Sequence, residues 1–421
     1  MNAQIQPPGL AAPSETSAPV VVGRAALSLE ARLLGRLLAA VGSPPVEFRL
    51  WNGERVAAPG GTPTSAVRIA DRATFYAFLR DPQLRFGDGY SSGHIEVEGD
   101  LIEFMHAVYR GMARSDGGGS LAMRFANWLH RPRRNTLGGS RDNIHHHYDL
   151  GNEFYSLWLG ETMAYTCAYY PTPTATLDQA QTAKLDHVCR KLRLRAGDRV
   201  VEAGCGWGSL ALHMASRYGA RVRAFNISRE QVAYARHRAR ALGLDGQVEF
   251  VEDDYRNISG TYDAFASVGM LEHVGVEHYR ELGRTIRRSL VDSGRGLIHS
   301  IGRNQPAPLH PWIERRIFPG AYAPSLGEMM QIFEPWDLSV LDVENLRLHY
   351  ALTLRHWLER YEAAVDRVRS LFDETFVRMW RLYLAGSVAA FETGTLQLFQ
   401  VVFATAQNND LPLTRRHLHP D

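Results

Sequence analysis

The feature that most constrains the fold is a glycine-rich turn between an apolar strand and a helix. It lies in residues 198–212, DRVVEAGCGWGSLAL, where Glu202 stands inside the strand and Gly204, Gly206 and Gly208 follow at alternate positions. Glycines at such a turn allow the backbone to approach a ligand that faces the N-terminus of the helix. The segment therefore predicts the first turn of a nucleotide-binding α/β unit.

The residues around the turn favour S-adenosylmethionine (SAM) over a dinucleotide as the ligand. A dinucleotide site has the spacing G-x-G-x-x-G and an acid about 20 residues further on, at the end of the second strand. Here the spacing is G-x-G-x-G, and the second predicted strand, RVRAFN, ends at Asn226. On this motif alone, an αβ turn without a ligand remains the alternative.

Strands and helices alternate from residue 198 onward, which predicts a mainly parallel sheet with helices on both faces. Ligands of such sheets bind at the carboxyl ends of the strands. Residues 352–386, between the last two strands, are predicted to be helical and rich in aromatic side chains, as in a lid or an apolar channel. The predicted strands are RVVEAG, RVRAFN, QVEFVED, YDAFASVGM, GRGLIHSIG, LSVLDVENL and QLFQVVFAT.

Composition divides the chain into four predicted parts. Residues 1–22 are predicted to be a disordered leader, and residues 23–110 mix strands and helices as a small α+β domain. Residues 111–141 form a basic Gly/Ser/Arg linker, and residues 142–410 carry the α/β unit. A helix predicted at 25–41, with leucines at helical spacing, either packs on its own domain or rests on lipid headgroups.

Arginines are concentrated between residues 110 and 141, where seven of them accompany a single acid, Asp116. This segment is either a solvated linker or a site attracted to anionic lipid headgroups, at about 1 kcal/mol per basic residue near such a surface. The net charge of the whole chain is only +2, so no nucleic-acid partner is expected. The arginines are Arg110, Arg114, Arg124, Arg131, Arg133, Arg134 and Arg141.

Cysteine content and hydropathy restrict the location of the protein. The three cysteines lack metal-ligand spacing, which predicts a reducing compartment and no metal site. No apolar stretch approaches the length that spans a bilayer, and the first residues do not resemble a secretory signal. We therefore expect a cytoplasmic protein whose contact with the inner face of a membrane is peripheral.

Polar side chains accompany three successive strands of the predicted sheet. The Glu202 carboxylate is suited to the ammonium group of SAM's methionine part, and Asp254 and Tyr255 after the third strand are suited to adenine. Each alone is more typical of a helix cap or a core position, and their coincidence at three strand ends predicts a SAM site. The residues expected to contact the ribose after the second strand are Asn226, Ser228 and Gln231.

The fourth and fifth strands end with groups that can hold an anion or a proton. A carboxylate, an imidazole, a thiol and a phenol in one small cavity would form such a pocket. A strand-end histidine that only makes structural hydrogen bonds is the alternative, and a covalent role for the cysteine is disfavoured because no feature supplies its base. The residues concerned are Gly269, Glu272, His273, His299 and Ile301, with Tyr165, Cys167 and Tyr350 from other segments.

Further phrases extend the pattern from residue 146 to residue 403: HYDLGNEFY, MAYTCAYY, EAGCGWGSLA, SREQ, DDYRNI, SVGMLEHVG, IHSIG, RRIFPGAYAPSL, NLRLHYALTLRHW and MWRLYLAGSVAAFETGTLQLFQ. In this order they resemble the cyclopropane fatty acid synthase family, which includes the mycolic acid cyclopropane synthases. The phrase LRFGDGYSSGHIEVEGDL is similar to the accessory domain of phospholipid-acting members, which implies a lipid-binding role for residues 23–110. The implied fold is α/β, a seven-stranded Rossmann-like SAM methyltransferase sheet with a small N-terminal α+β domain.

The resemblance also implies two sets of site residues. In this family a bicarbonate ion acts as general base, and the residues that hold it correspond to Cys167, Glu272, His299, the Ile301 backbone and Tyr350. The chain departs from the family at Asn226, where threonine is usual, and at PLHPW, which replaces a more acidic version near the channel mouth. The implied SAM site comprises Tyr165, Thr166, Gly204, Gly206, Asn226, Gln231, Asp254 and Tyr255.

The activity implied by the resemblance is SAM-dependent transfer of a methyl(ene) group to the double bond of unsaturated acyl chains of membrane phospholipids. A carbocation would lose a proton to bicarbonate as a cyclopropane ring closes. A methylated alkene or a methyl branch is an alternative product, and small-molecule N-methylation or non-enzymatic lipid binding is an alternative function. The expected partners are phospholipid acyl chains and an anionic membrane surface, with a homodimer as one expected assembly.

Overall fold

The computed structural model describes residues 27–58, 62–115 and 150–418, which form an N-terminal domain and a larger α/β domain. The predicted leader at 1–22 and residues 116–141 of the predicted linker lie outside the described residues. No helix in the described ranges is long and apolar enough to cross a membrane.

The N-terminal domain combines a four-stranded sheet with helices. Its elements are α1 (Leu29–Ala40), β1 (Val46–Arg49), β2 (Arg55–Ala57), β3 (Ser65–Ile69), α2 (Arg72–Arg80), α3 (Pro82–Ser91), β4 (Ile95–Glu98) and α4 (Leu101–Ser115). The strand order is β2-β1-β3-β4, with β1 and β3 parallel and the other two pairs antiparallel. The side chains of Asp71 and Asp81 accept hydrogen bonds from first-turn N–H groups and so begin α2 and α3.

The helix predicted at 25–41 is observed as α1. Its buried face carries Ala31, Leu34 and Leu38, which pack in the core of the domain with Phe48. This face of the helix therefore packs on its own domain, as one of the two alternatives expected. Helix α4 continues to Ser115, beyond the domain end predicted at residue 110.

The α/β domain alternates strands and helices in the predicted order. Its elements are α5 (Asn152–Leu159), α6 (Leu177–Lys191), β5 (Arg199–Ala203), α7 (Ser209–Tyr218), β6 (Arg221–Asn226), α8 (Arg229–Ala241), β7 (Val248–Glu252), β8 (Tyr262–Val268), α9 (Tyr279–Ser289), β9 (Leu290–Gly302), α10 (Pro311–Arg316), α11 (Leu326–Met329), β10 (Leu338–Asn345), α12 (Arg347–Ala363), α13 (Val365–Leu371), α14 (Glu374–Glu392) and β11 (Gln397–Thr405).

The seven strands of this domain form one sheet in the order β10-β11-β9-β8-β5-β6-β7. Strands β9, β8, β5, β6 and β7 are parallel neighbours, whereas β11 is antiparallel to both β9 and β10. The predicted seven-stranded α/β fold is therefore confirmed. Because the parallel strands end at one edge, the segments that follow β5, β6, β7, β8 and β9 are brought together there.

Two glycines of the turn after β5 are required by close packing. A Cβ atom on Gly208 would lie 2.6 Å from the Phe250 ring, and one on Gly204 would lie 2.7 Å from Met270. Both glycines have positive φ angles, which L side chains rarely adopt. The turn thus brings the start of α7 close to the sheet and to the segment after β8.

The N-terminal domain packs directly on the α/β domain. Tyr90 of α3 and Trp380 of α14 belong to the same apolar cluster. A Cβ atom on Gly87 would overlap the indole of Trp312, so the close approach of α3 and α10 requires a glycine. The Arg378 guanidinium donates to the Tyr90 carbonyl at 2.6 Å. The two domains therefore share a core, which the prediction of a separate accessory domain did not include.

Candidate active site

A cleft of about 130 Å³ lies at the carboxyl edge of the parallel strands, where the sequence predicts SAM; we call it the SAM cleft. No heavy atom lies within 4 Å of a Cβ built on Gly206, so this glycine faces open space. Ser228 and Gly208 do not line the cleft: Ser228 caps α8 by accepting from the Gln231 N–H, and Gly208 begins α7. The predicted residues that line it are Tyr165, Thr166, Glu202, Gly204, Gly206, Asn226, Gln231, Asp254, Tyr255 and Gly269.

A buried acid and a buried lysine lie together in the SAM cleft. The Glu202 Oε2 atom is buried and has no hydrogen-bond partner in the ranges that the structure describes, and burial raises the pKa of this carboxyl. Burial lowers the pKa of Lys184, whose ammonium donates to the Thr166 hydroxyl at 2.9 Å. The sequence analysis missed Lys184. The feature that could have identified Lys184 is a cationic residue on the buried face of α6, beside Gln181 and Leu185.

The end of β6 is tied to the glycine turn by an amide. The Asn226 Nδ2 group donates to the Gly206 carbonyl at 3.2 Å and to Gln231 Oε1 at 2.8 Å. Asn226 therefore fixes the shape of the wall where the ribose is predicted to bind. The asparagine at the position where the family usually has threonine therefore stabilises the glycine turn, in addition to the ligand contact expected of it.

The segment after β7 holds its acid in an ion pair. The Asp254 carboxylate accepts from Arg256 Nε at 2.7 Å and from Arg256 Nη2 at 3.0 Å. Tyr255 is buried, and its hydroxyl has no hydrogen-bond partner in the part of the chain that is described. Asp253, which was not predicted from the sequence, also lines the cleft. It could have been identified because it is adjacent to Asp254 in the phrase VEDDY.

A second, larger cavity of about 1430 Å³ adjoins the SAM cleft; we call it the large cavity. Four residues line both spaces and so form the junction between them: Tyr165, Thr166, Gly269 and His273. All six residues predicted to be catalytic line the large cavity, namely Cys167, Gly269, Glu272, His299, Ile301 and Tyr350. The structure therefore brings together side chains from distant parts of the sequence, as the strand-end argument predicted.

A buried carboxyl and a buried imidazole each leave one atom unpartnered at this cavity. Glu272 Oε1 accepts from the Ile301 N–H at 2.7 Å, while Oε2 has no partner among the described residues. Gln400 Nε2 lies 3.0 Å from His299 Nδ1, and His299 Nε2 is unpartnered. An amide nitrogen only donates, so Nδ1 accepts and the neutral ring carries its proton on Nε2. Gln400 is thus a positioning residue that the sequence analysis missed.

Burial sets the protonation of these groups. It raises the pKa of Glu272 to about 7, against a partial offset from the Ile301 N–H. It lowers the pKa of His273 to about 4 and holds the pKa of His299 well below its usual value, so both imidazoles are neutral near pH 7. The pocket therefore combines neutral imidazoles with a carboxyl that titrates close to neutrality.

The thiol at this cavity is buried and protonated. Cys167 is fully buried, its Sγ lies 3.1 Å from the Ala168 carbonyl, and burial raises the pKa of the thiol. A thiolate nucleophile needs the opposite shift. Tyr350 packs against Phe391, with ring centroids 4.6 Å apart. These environments agree with the expectation that Cys167 is not a covalent nucleophile.

The large cavity extends between the two domains, which the sequence analysis did not predict. Its walls include Leu37 and Val41 near the end of α1, Phe78 of α2, and Met112 of α4. These apolar side chains lie far from residue 167 in sequence, so only the folded chain reveals that they share a cavity with it. Among the described residues, no group of three or more His, Cys, Asp or Glu side chains could hold a metal ion.

Comparisons with known proteins identify relatives of the whole chain. A probable fatty acid methyltransferase of Pseudomonas putida is 35% identical over 388 residues, covering 89% of this chain and 96% of that protein. A cyclopropane-fatty-acyl-phospholipid synthase of Escherichia coli K12 is 34% identical over 362 residues, covering 84% and 92%. The crystal structure of mycolic acid cyclopropane synthase CmaA1, complexed with SAH and CTAB, aligns with a TM-score of 0.60 at 26% identity, covering 62% and 97%.

Family models divide the chain as the structure does. A model described as a domain of unknown function matches residues 33–115, which span the N-terminal domain to the end of α4. The model described as mycolic acid cyclopropane synthetase matches residues 137–401. The resemblance found in the sequence is thereby confirmed. The chain belongs to the mycolic acid cyclopropane synthetase family and is a SAM-dependent methyltransferase.

Proposed function

We propose that this enzyme transfers a methylene group from SAM to the double bond of unsaturated acyl chains of membrane phospholipids and forms a cyclopropane ring. The observation that carries the proposal is the junction between the SAM cleft and the large cavity. Past this junction, an apolar cavity of about 1430 Å³ contains the unpartnered carboxyl and imidazole atoms of Glu272 and His299. An acyl chain fits such walls, and the polar atoms lie where a cation would form.

The chemistry needs a held methyl donor and a base. SAM supplies a methyl carbon that accepts the electron pair of the alkene as its C–S bond breaks. An alkene is a weak nucleophile, so the junction must hold the two carbons about 3–3.5 Å apart in line with that bond. Tyr165 is held there by a hydrogen bond of 2.8 Å between its hydroxyl and that of Tyr383. We assign this pair the task of shaping the junction.

Bicarbonate fits the pocket as the base. Within the described part of the chain, His299 Nε2 carries a proton without an acceptor and Glu272 Oε2 has no donor, so together they suit an anion that both accepts and donates. Bicarbonate would supply the oxygen that takes a proton from the new methyl group, leaving the C–H electron pair to close the ring. The Glu272 carboxylate orients the bound ion and also opposes the positive charge on the substrate.

Two other products and one other substrate class compete with this proposal. The cation is also able to lose a different proton, which gives a methylated alkene, or to accept a hydride from a separate reductant, which gives a methyl branch. The name of the Pseudomonas putida relative, a probable fatty acid methyltransferase, favours considering these products. An amine substrate is disfavoured because it would leave the unpartnered Glu272 and His299 atoms without a chemical task.

We further propose that the enzyme meets its lipid at an anionic membrane surface. Met112 and Ala113 of α4 line the large cavity, and the exposed Arg110 and Arg114 lie on the same helix. Cations beside a cavity rim would attract anionic headgroups to the place where an acyl chain enters. The other five arginines of the predicted linker lie outside the described residues.

Lipid mass spectrometry tests the reaction. After expression in a bacterium that lacks such an enzyme, unsaturated acyl chains should gain one CH2 unit, and the product should resist reagents specific for alkenes. A gain of CH2 with retained alkene reactivity would instead establish the methylated alkene. Expression of the Glu272→Gln variant controls for changes that the host itself makes.

Vesicle sedimentation tests the membrane contact. Binding to phosphatidylglycerol vesicles should weaken as salt rises, because exposed charges are screened beyond about 10 Å at 0.1 M. Replacing Arg110 and Arg114 by Gln should weaken it too, whereas Arg217→Gln, an exposed arginine on α7, should not. Equal binding to anionic and zwitterionic vesicles would remove the electrostatic basis. Deleting residues 1–141 is a poorer test, because it also removes walls of the large cavity.

A further inference from the structure

An arginine lies close to the catalytic residues in the wall of the large cavity. Arg303 follows the end of β9, and Ile301 and His299 of that strand line the same cavity. Its backbone is fixed by a hydrogen bond of 2.8 Å from its N–H to the Pro324 carbonyl and by a bridge to Ser325. The sequence analysis did not select this residue.

Arg303 differs from Arg295 and Arg381, two other partly buried arginines of the domain, because its side chain has no acceptor among the described residues. Arg295 pairs with Asp198 at 2.5 Å, and Arg381 pairs with Glu362 through two bonds of 2.5 and 2.7 Å. The Nε atom of Arg303 is buried with no hydrogen-bond partner, and no described acid forms an ion pair with its guanidinium. Burying an unpaired charge is costly, so such a group is normally matched by a counter-ion.

The residues around Arg303 indicate which kind of ligand would carry the anion that pairs with it. Tyr109, from α4, and Tyr322 line the same cavity as Arg303. Burial lowers the pKa of the guanidinium without neutralising it. Asn304 and Gln305 add polar groups to the same part of the wall. The rest of the cavity is largely apolar, so the fitting ligand combines an anionic head with an apolar tail.

We propose that Arg303 binds the phosphate of the phospholipid substrate and that Tyr109 of the N-terminal domain completes this headgroup site. A guanidinium presents a planar fork of donors that matches phosphate oxygens. This inference rests on the proposed function for the identity of the lipid. Arg303 is two residues from Ile301 in the same cavity wall, about 6–7 Å of extended backbone, so it would hold the headgroup at a fixed distance from the site of reaction.

Binding without turnover tests the site directly. Calorimetry with monomeric dioctanoylphosphatidylglycerol should show binding to the wild type and a loss of about tenfold or more for Arg303→Met, with Arg303→Lys between them. Arg217→Met, which removes an exposed arginine outside the cavity, should bind as the wild type does. Unchanged SAM affinity in every variant establishes that the fold is intact.

Two further ligands identify the source of the effect. Dioctanoylglycerol has the same tails without phosphate, so its affinity should not change in Arg303→Met; an equal loss would show a general defect of the cavity and overturn the proposal. Octanoate carries a carboxylate, and a loss confined to octanoate would assign the site to a fatty acid instead. Inorganic phosphate should compete only weakly, because it lacks the apolar tail.

Turnover separates this inference from the proposed function. With dioleoylphosphatidylglycerol in mixed micelles, Arg303→Met should raise KM and leave kcat nearly unchanged, whereas KM for dioleoylglycerol should stay the same. If no lipid gains a CH2 unit with any variant, the proposed function fails. The phosphate site would still stand if the calorimetric difference between Arg303→Met and Arg217→Met persists.

Discussion

The SAM cleft and the large cavity are neighbours built in opposite ways. The cleft is small, about 130 Å³, and its lining comes from residues between Met163 and Val274. The cavity is about 1430 Å³, and its lining extends from Leu37 to Leu398, across both domains. A donor common to many methyltransferases is thus held by a compact local motif, while the acceptor space depends on how distant segments pack.

The two spaces also differ in how they use buried polar groups. The cleft contains an acid and a lysine: burial raises the pKa of Glu202 and lowers the pKa of Lys184, and their opposite charges offset part of both shifts. The cavity leaves single atoms of Glu272, His299 and Arg303 unpartnered in largely apolar surroundings. Unpartnered buried groups are costly in a fold. The SAM cleft has such atoms too, Glu202 Oε2 and the Tyr255 hydroxyl, so each space contains polar atoms that a bound ligand would satisfy.

The largest expected effect breaks the SAM cleft alone. Gly206→Val places a side chain in the open space that the methionine part of SAM is predicted to fill, so SAM affinity should fall by about 1,000-fold or more, ~4.1 kcal/mol. Gly197→Val is the matched control, because Gly197 also has a positive φ and open space around it but does not line the cleft. Calorimetry measures both. Unchanged SAM affinity in Gly206→Val refutes the assignment.

The next largest effect is expected from a substitution that impairs the large cavity and leaves the SAM cleft intact. Glu272→Gln keeps the shape of the side chain and removes its charge, so kcat should fall by about 10²–10³ while SAM affinity is retained. Glu277→Gln, an exposed acid in the same segment, should have wild-type kcat. Loss of SAM binding in Glu272→Gln would mean that the two spaces are not separable in function.

The difference between the local SAM cleft and the long-range large cavity also explains which features were predicted from the sequence. The strands RVRAFN and QLFQVVFAT were predicted with the observed ends, because apolar runs between turns are local signals. The glycine turn and strand-end side chains were found for the same reason. Gln400 was missed because a single polar residue in an apolar run has no local signature. Lys184 was missed because the sequence of a largely polar helix does not show which of its lysines is buried. Their roles arise from contacts with Thr166 and His299 across the fold.

The N-terminal domain shows a second kind of feature that could not be predicted from the sequence. Its helix α1 was predicted from the spacing of leucines, but the short strands β2 and β4 were not predicted. That the domain forms a wall of the cavity depends on the approach of Gly87 to Trp312, residues more than 200 positions apart. Long-range packing of this kind is not encoded in any window of the sequence.

A pH profile sharpens the comparison through Glu272. Its pKa is raised from 4.5 to about 7, so the carboxylate is lost as pH falls through about 7. If the carboxylate acts in turnover, kcat should fall about tenfold per pH unit below that value. Stability responds in the opposite sense: this group stabilises the fold below pH 4.5, and the contribution is lost as pH rises from about 4.5 to 7.

The measurement is kcat at saturating SAM with bicarbonate held constant at each pH. The residual activity of Glu272→Gln should lack the acid limb near pH 7, since glutamine does not titrate. An identical acid limb in Glu272→Gln would assign the titration to another group and leave the carboxyl without the role argued for it.

A smaller effect is expected at the thiol. Cys167→Ser replaces a weak thiol donor by a hydroxyl of similar size that still donates, so kcat should fall only a few-fold. If Cys167 acted as a covalent thiolate, the same change would remove nearly all activity. Mass spectrometry of the wild type after reaction checks the same point. A thioether between Cys167 and substrate, together with an inactive Cys167→Ser, would replace the bicarbonate mechanism by nucleophilic catalysis.

The smallest effect is expected at the interface between the two domains, which places the N-terminal domain as a wall of the large cavity. The Arg316–Asp88 pair connects the domains at 3.0 and 3.1 Å, but these side chains are 48% and 21% exposed. Arg316→Met should therefore cost only about 0–1 kcal/mol of unfolding free energy, less at high salt. Gly87→Ala should cost more, roughly 1–3 kcal/mol, because its methyl group meets the Trp312 indole. Denaturant unfolding compares them, and two separate transitions in Arg316→Met would show that the ion pair, and not the shared apolar core, holds the domains together.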